Sequence, residues 1–196
     1  MTHRLGYWFV HVYVVGFSLV LLGGFGMQFG KSEMPCPLCI LQRMAMMLCA
    51  LGGAYIIRKA TKGPVSASDL ATGYGLSIVA AIAGMVMSGR QVLLHILPDA
   101  AGYGDPFLGL HLYTWAFITF TIAILAAAVN LIFAADVTPE APASSSTEWV
   151  SKAVLGLLGA VIAANALVVF AEEGFHWVLP DDPARYELFY DLNLKD

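Results

Sequence analysis

Pro35-Cys36-Pro37-Leu38-Cys39-Ile40-Leu41-Gln42-Arg43 opens a stretch that continues Met44-Ala45-Met46-Met47-Leu48-Cys49-Ala50-Leu51-Gly52-Gly53-Ala54-Tyr55-Ile56-Ile57. From residue 38 to residue 57 it has one charged side chain, and it is long enough to cross a bilayer as a helix, which takes roughly 20 mainly apolar residues. A cysteine pair three apart therefore stands at the end of a membrane span, with an arginine one turn further in. Both prolines fall where the chain enters the helix, and proline is tolerated in a first helical turn.

Four more segments qualify as spans: residues 7–29, 70–97, 112–133 and 150–170. The composition agrees. Of the 196 residues, 59% are hydrophobic and 12% charged, with a mean hydropathy of +0.74. Soluble domains carry about a quarter of their residues charged, so the solvent for this chain is mostly lipid. A net charge of −4 gives no basis for binding nucleic acid. His3 and Arg4 before the first span resemble a signal-peptide start, but the span is too long for an h-region and lacks a small-residue cleavage site. It is expected to stay.

Lysine and arginine in short loops set orientation. Arg4 precedes span one, and Arg58, Lys59 and Lys62 follow span two, whereas Lys31 beside Glu33 is the only base after span one. The N-terminus and second loop are expected to be cytoplasmic, with Lys152 weakly agreeing. Five spans then leave the C-terminal tail outside. That tail carries Glu172, Glu173, Asp181, Asp182, Glu187, Asp191 and Asp196 against Arg185 and Lys195. The Cys-Pro-Leu-Cys motif falls at the outer face, in a bacterium the periplasm, where disulfides persist.

Unsatisfied N–H groups and the helix dipole favour a thiolate at a helix start, and two sulfurs at this spacing can close into a disulfide or open to a reactive thiol. Zinc would need four ligands, and neither a second Cys-x-x-Cys nor a His-x-x-x-His is available. A c-type haem needs histidine where Ile40 stands. No metal is expected, and inert structural thiols remain the bland reading. Cys49, on the order of 15 Å deeper along the same helix, reads as a small buried hydrophobe. Arg43 lies on the same helix face as the pair. It can stabilise a thiolate and bind a quinone oxygen, or it can snorkel to the headgroups. Arg90 and His95 near the end of span three reach the level of the pair. His95 can serve a quinone carbonyl and its protons, or be an ordinary interfacial histidine. His11 and His111 are weaker candidates, and Tyr113, Trp115 and Trp177 fit an interfacial belt.

Residues 35–43, the segment Arg90-Gln91-Val92-Leu93-Leu94-His95, and Phe107-Leu108-Gly109-Leu110-His111-Leu112-Tyr113-Thr114-Trp115 resemble the disulfide bond formation protein B family, over about residues 5–135. The resemblance implies an all-α four-helix membrane bundle, residues 1–135, to which this chain adds a cytoplasmic linker (136–149), a fifth membrane helix (150–171) and an acidic periplasmic tail (172–196). It implies a ubiquinone or menaquinone near the outer face, reduced by Cys36 and Cys39. Arg43 would assist, and His95 matches the family's quinone-associated histidine; Gln42 and Arg90 are further candidate quinone contacts of this chain. The expected partners are membrane lipid and a periplasmic thioredoxin-fold protein like DsbA. Family oxidases relay electrons through a second cysteine pair in an outer segment. Here 98–109 has no cysteine, and Glu173 to Pro183 reads like such a segment with its cysteines replaced. The expected activity is quinone-linked thiol oxidation. The alternative is a degenerate subunit that binds quinone or lipid and braces a larger membrane complex. Vitamin K epoxide reductases also set Cys-x-x-Cys near a quinone, again with further cysteines.

Overall fold

The computed structural model describes residues 2–97, 102–138, 145–176, 178 and 180–194. Trp177 lies outside the described residues. The described chain is all helical: α1 (Thr2–Gly30), α2 (Pro37–Ala60), α3 (Ala67–Leu94), α4 (Leu112–Ile132), short α5 (Ala134–Val137), α6 (Ser145–Glu173) and short α7 (Glu187–Asp191). Five of these, α1 to α4 and α6, are long and apolar enough to cross a membrane. This is a multi-pass membrane bundle, as the hydropathy expected. The third span is shifted against the sequence reading. It starts at Ala67 because Ser66 and Asp69 form a reciprocal capping box, and it stops at Leu94 with His95 as C-cap. Helix α6 begins at Ser145, inside the expected linker.

Helix α2 is central. It packs on α3 and α1, α4 packs on α3, and α6 lies against α1 and α2. Close approach of α2 to α3 depends on glycine: a Cβ on Gly52 would collide with the Ser77 hydroxyl and the Gly73 backbone, and one on Gly73 with Ile56. Membrane helices associate through such small-residue contacts and buried hydrogen bonds, since lipid offers no hydrophobic drive between helices. Ser77 Oγ donates to the Cys49 carbonyl at 2.8 Å, and fully buried Cys49 points its thiol back at the Ser77 carbonyl, 3.5 Å away.

The fifth span is fastened at the end of the bundle that carries Arg58 and Lys59. The Tyr7 hydroxyl donates to the Thr147 carbonyl at 2.7 Å and meets Ser151 Oγ at 2.8 Å, while His11 Nε2 meets the same Ser151 Oγ at 3.0 Å. This buried cluster accounts for His11 structurally. Its opposite end brings the last turn of α6, and the chain after it, to the cysteine end. There Tyr186 accepts a hydrogen bond from Gln28 of α1 at 3.1 Å.

Candidate active site

Cys36 caps α2. Its backbone is extended (φ −70°, ψ 164°), Pro37 occupies the first helical turn, and the Cys39 N–H donates to Cys36 Sγ at 3.3 Å. The sulfur thus satisfies an amide that the helix start leaves without a carbonyl. The two Sγ atoms lie 2.7 Å apart, so the pair is placed to close.

The amide of Gln91, from α3, completes the environment. Its Nε2 lies 3.4 Å from Cys36 Sγ and 3.7 Å from Cys39 Sγ, while its Oε1 accepts from Gln42 Nε2 at 2.7 Å. Gln42 therefore orients Gln91 so that its donor faces the sulfurs. The Cys36 thiol is held below the ordinary cysteine range, first by the hydrogen bond from the Cys39 thiol. Burial opposes this, and the Cys39 N–H and the Gln91 amide reinforce it. The thiolate of Cys36 therefore persists to lower pH than that of an ordinary cysteine and is lost as pH falls further. Alkylation of the reduced protein at Cys36 by a small reagent is expected to rise with pH through a midpoint below that of an ordinary cysteine. In Gln91→Leu the midpoint moves upward; an unchanged midpoint would show that Gln91 does not hold the thiolate.

Two openings flank the pair. The first, a cavity of about 420 Å³ among α1, α2 and the start of α4, is largely apolar, with Cys39, Gln42 and Arg43 on one wall and Leu21, Met27 and Tyr113 among the others. Arg43 is half-buried and turned toward α1. It donates to Gln28 Oε1 at 2.7 Å and to the Gly24 carbonyl at 3.2 Å, with its guanidinium 5.6 Å from the Phe25 ring centroid. A guanidinium has five N–H donors, so these contacts fix its position without exhausting it. Arg43 is thus anchored within the bundle and is not simply reaching for headgroups.

The second opening is a groove of about 1020 Å³ on the other side of the pair, lined by Cys36, Arg90, Gln91, His95, Asp181 and Asp182. The structure therefore divides the six expected site residues. Cys39, Gln42 and Arg43 face the cavity; Cys36, Arg90 and His95 face the groove. His95 Nδ1 meets the Gln91 carbonyl at 2.9 Å, and its ring stacks on Tyr113 at 5.4 Å between centroids. Tyr113 takes the cavity side of that stack. The belt reading of Tyr113 gives way here, because the residue is buried and packs against His95 and His111. Trp115 also lines the cavity and donates through Nε1 to the Phe107 carbonyl at 2.8 Å. Tyr103 borders both openings and donates to the Met34 carbonyl at 2.7 Å. Burial, then the nearby cysteines, pushes the Tyr103 phenol up.

Sequence reading missed Gln91, Gln28 and Tyr103. A glutamine inside an apolar span, four residues before His95 and three after Ser88 on one helix face, was the available signal for Gln91. Its neighbour Arg90 is turned by one residue's rotation and is exposed. Among the described residues no group of three or more His, Cys, Asp or Glu side chains is arranged to hold a metal ion.

The family model described as Disulfide bond formation protein DsbB matches residues 6–103, half of the chain and the part that builds the cysteine motif, Arg43 and Gln91. The chain belongs to this family. Among its relatives, Disulfide bond formation protein B 1 of Pseudomonas fluorescens (strain Pf0-1) is 28% identical over 156 residues, spanning 63% of this chain and 89% of the relative. Disulfide bond formation protein B of Cupriavidus metallidurans is 24% identical over 155 residues, 64% of this chain and 91% of the relative. That of Nitrosomonas eutropha is 33% identical over 107 residues, 52% and 60% of the two chains. No solved structure matches. A DsbB-family membership and five apolar helices make this a membrane protein of disulfide bond formation.

Proposed function

We propose that this DsbB-family protein is a quinone-linked thiol oxidase whose two motif cysteines face two different reactants. The observation that carries the reading is the division of the openings: Cys39 borders the apolar cavity beside Arg43, and Cys36 borders the groove. The basic residues at the far end of the bundle orient it with the cysteine end in the periplasm.

The cavity suits a quinone head group. It is apolar, of the size typical of small-molecule sites, and its polar donors converge on the wall that holds Cys39. Cys39, Gln42 and Arg43 would hold the ring, with the Arg43 charge placed to favour electron density on a carbonyl oxygen. When bound, a quinone supplies a two-electron, two-proton acceptor.

On the groove side, a thiolate of a DsbA-like thioredoxin-fold partner attacks Cys36 of the oxidised pair, forming a mixed disulfide as Cys39 leaves. The partner's second thiol then attacks the partner's own bonded sulfur, and Cys36 leaves as the thiolate that Cys39 and Gln91 stabilise. Two electrons have passed to the pair and the partner is oxidised. No relay pair is needed in this scheme, because the groove brings the partner to Cys36 directly. Cys36 is only 5% exposed, so the groove's wall at Asp181 and Asp182 must yield to a docking partner.

The test is the thiol state of Cys36 and Cys39, trapped by alkylation in cells with and without quinone synthesis. A pair oxidised only when quinone is made supports the oxidase. A pair indifferent to quinone refutes it and favours a degenerate subunit of a larger membrane complex.

A further inference from the structure

Glu172 is a buried acid that the scheme above does not use. It lies in the last turn of α6, its side chain fully enclosed, and neither carboxyl oxygen has a hydrogen-bond partner among the described residues. An unpaired charge in such a place is costly. The negative end of the helix dipole adds to the cost, and the last turn of α6 has no basic residue. The groups that act on it electrostatically are Arg43, from α2, and Cys36, at the cap of the same helix. Tyr103 is within electrostatic reach of Glu172, Asp182 and both cysteines, and Tyr186 of Arg43; Tyr186 also accepts a hydrogen bond from the uncharged Gln28 of α1. Further out in the tail, His176 and Asp191 pair with each other 3.6 Å apart.

The arrangement is one cation serving two acids. With the cysteine pair oxidised, Cys36 carries no charge and Arg43 can balance a Glu172 carboxylate. With the pair reduced, the Cys36 thiolate claims the same cation, and a second anion would be left uncompensated in a buried site. We propose that Glu172 is a redox-linked proton carrier, taking up a proton when Cys36–Cys39 is reduced and releasing it when the disulfide forms.

The balance closes in both halves. Reduction by a partner dithiol breaks the Cys36–Cys39 bond and forms the partner's disulfide. Of the partner's two thiol protons, one passes to Cys39 and the other to the Glu172 carboxylate, leaving Cys36 as thiolate. Oxidation re-forms the Cys36–Cys39 bond, and two electrons leave together with the Cys39 proton and the Glu172 proton. A quinone, as the acceptor, takes up two of each. The role rests on the quinone-linked reading for its acceptor, and not for the redox linkage itself. Glu172 borders neither opening, so it exchanges its proton with the cysteine pair and touches neither the partner nor the quinone.

The experiment is redox-difference infrared spectroscopy on quinone-free protein, reducing the oxidised pair with dithiothreitol. A protonated-carboxyl band should appear on reduction, shift in D2O, and be absent in Glu172→Gln. With quinone and a reduced partner, Glu172→Gln should turn over about 100-fold more slowly or worse, within the usual range for losing a positioned proton donor. Its Cys36 should still form the mixed disulfide. No redox-dependent carboxyl band in the wild type, or the same band in Glu172→Gln, overturns the proposal. If Glu172→Gln folds poorly, Glu172→Asp decides the matter, because it keeps the acid and should move the band in frequency without removing it. Because the infrared measurement needs no quinone, a persisting band in a protein that cannot reduce quinone would retain Glu172 as the carrier and remove only the acceptor.

Discussion

Cys39→Ser is expected to abolish quinone-linked thiol oxidation, with a loss on the order of 10⁴-fold, the scale seen when one member of a cooperating catalytic set is removed. The partner-facing half should survive. Cys36 keeps its place at the helix cap and its Gln91 donor, so Cys39→Ser offered an oxidised thioredoxin-fold partner should attack it and stop at a mixed disulfide. No second thiol remains to resolve that bond from this side. Cys36→Ser should lose both activities, because Cys39 borders the cavity and not the groove. Non-reducing gels with mass mapping of the cross-linked cysteine read the difference directly. Equal capture by the two variants would show that the openings do not assign roles to the sulfurs. Retained turnover in Cys39→Ser would remove the pair from the chemistry altogether.

The same asymmetry shows where sequence reading stops. Five spans were legible because bilayer crossing requires only length and apolarity, and 196 residues with 12% charged leave little ambiguity. The cysteine pair and Arg43 were legible because spacing along one helix fixes their relative positions. Gln91 and Glu172 were not, because each meets the site from another helix. Which face of α3 or α6 turns toward α2 depends on close approaches such as Gly52 against Gly73, and not on any local pattern. His95 illustrates the limit from the other side. Its depth was readable, but its rotation puts it in the groove, with Tyr113 between it and the cavity. The tail could be read as acidic and as like a relay segment without its cysteines, but not as folding back so that Asp181 and Asp182 border the opening at Cys36.

Arg43→Met is expected to raise the apparent KM for quinone about 10- to 100-fold, since a hydrogen bond from a charged donor is worth roughly 1.5–3 kcal/mol. Mixed-disulfide capture at Cys36 should be spared, which a general collapse of the bundle would not allow. Methionine keeps much of the side-chain volume but strands Gln28 Oε1, which Arg43 now satisfies, and leaves the Gly24 carbonyl with its helical partner alone. A drop in thermal midpoint is therefore expected and has to be measured beside the kinetics. Arg43→Lys separates the two contributions: it keeps the charge and loses the planar fork that spans α1 and the cavity. Lysine should recover part of the affinity if charge on the quinone oxygen matters, and none if Arg43 serves only as a brace to α1. An Arg43→Met protein with unchanged quinone KM and a lowered midpoint would assign the residue to bracing and move the quinone elsewhere. Combination with Glu172→Gln sharpens this. If one cation balances two acids, removing Arg43 strands the Glu172 carboxylate in the oxidised state. The double variant should then regain thermal stability over Arg43→Met alone, by an amount that neither residue would show if they acted independently.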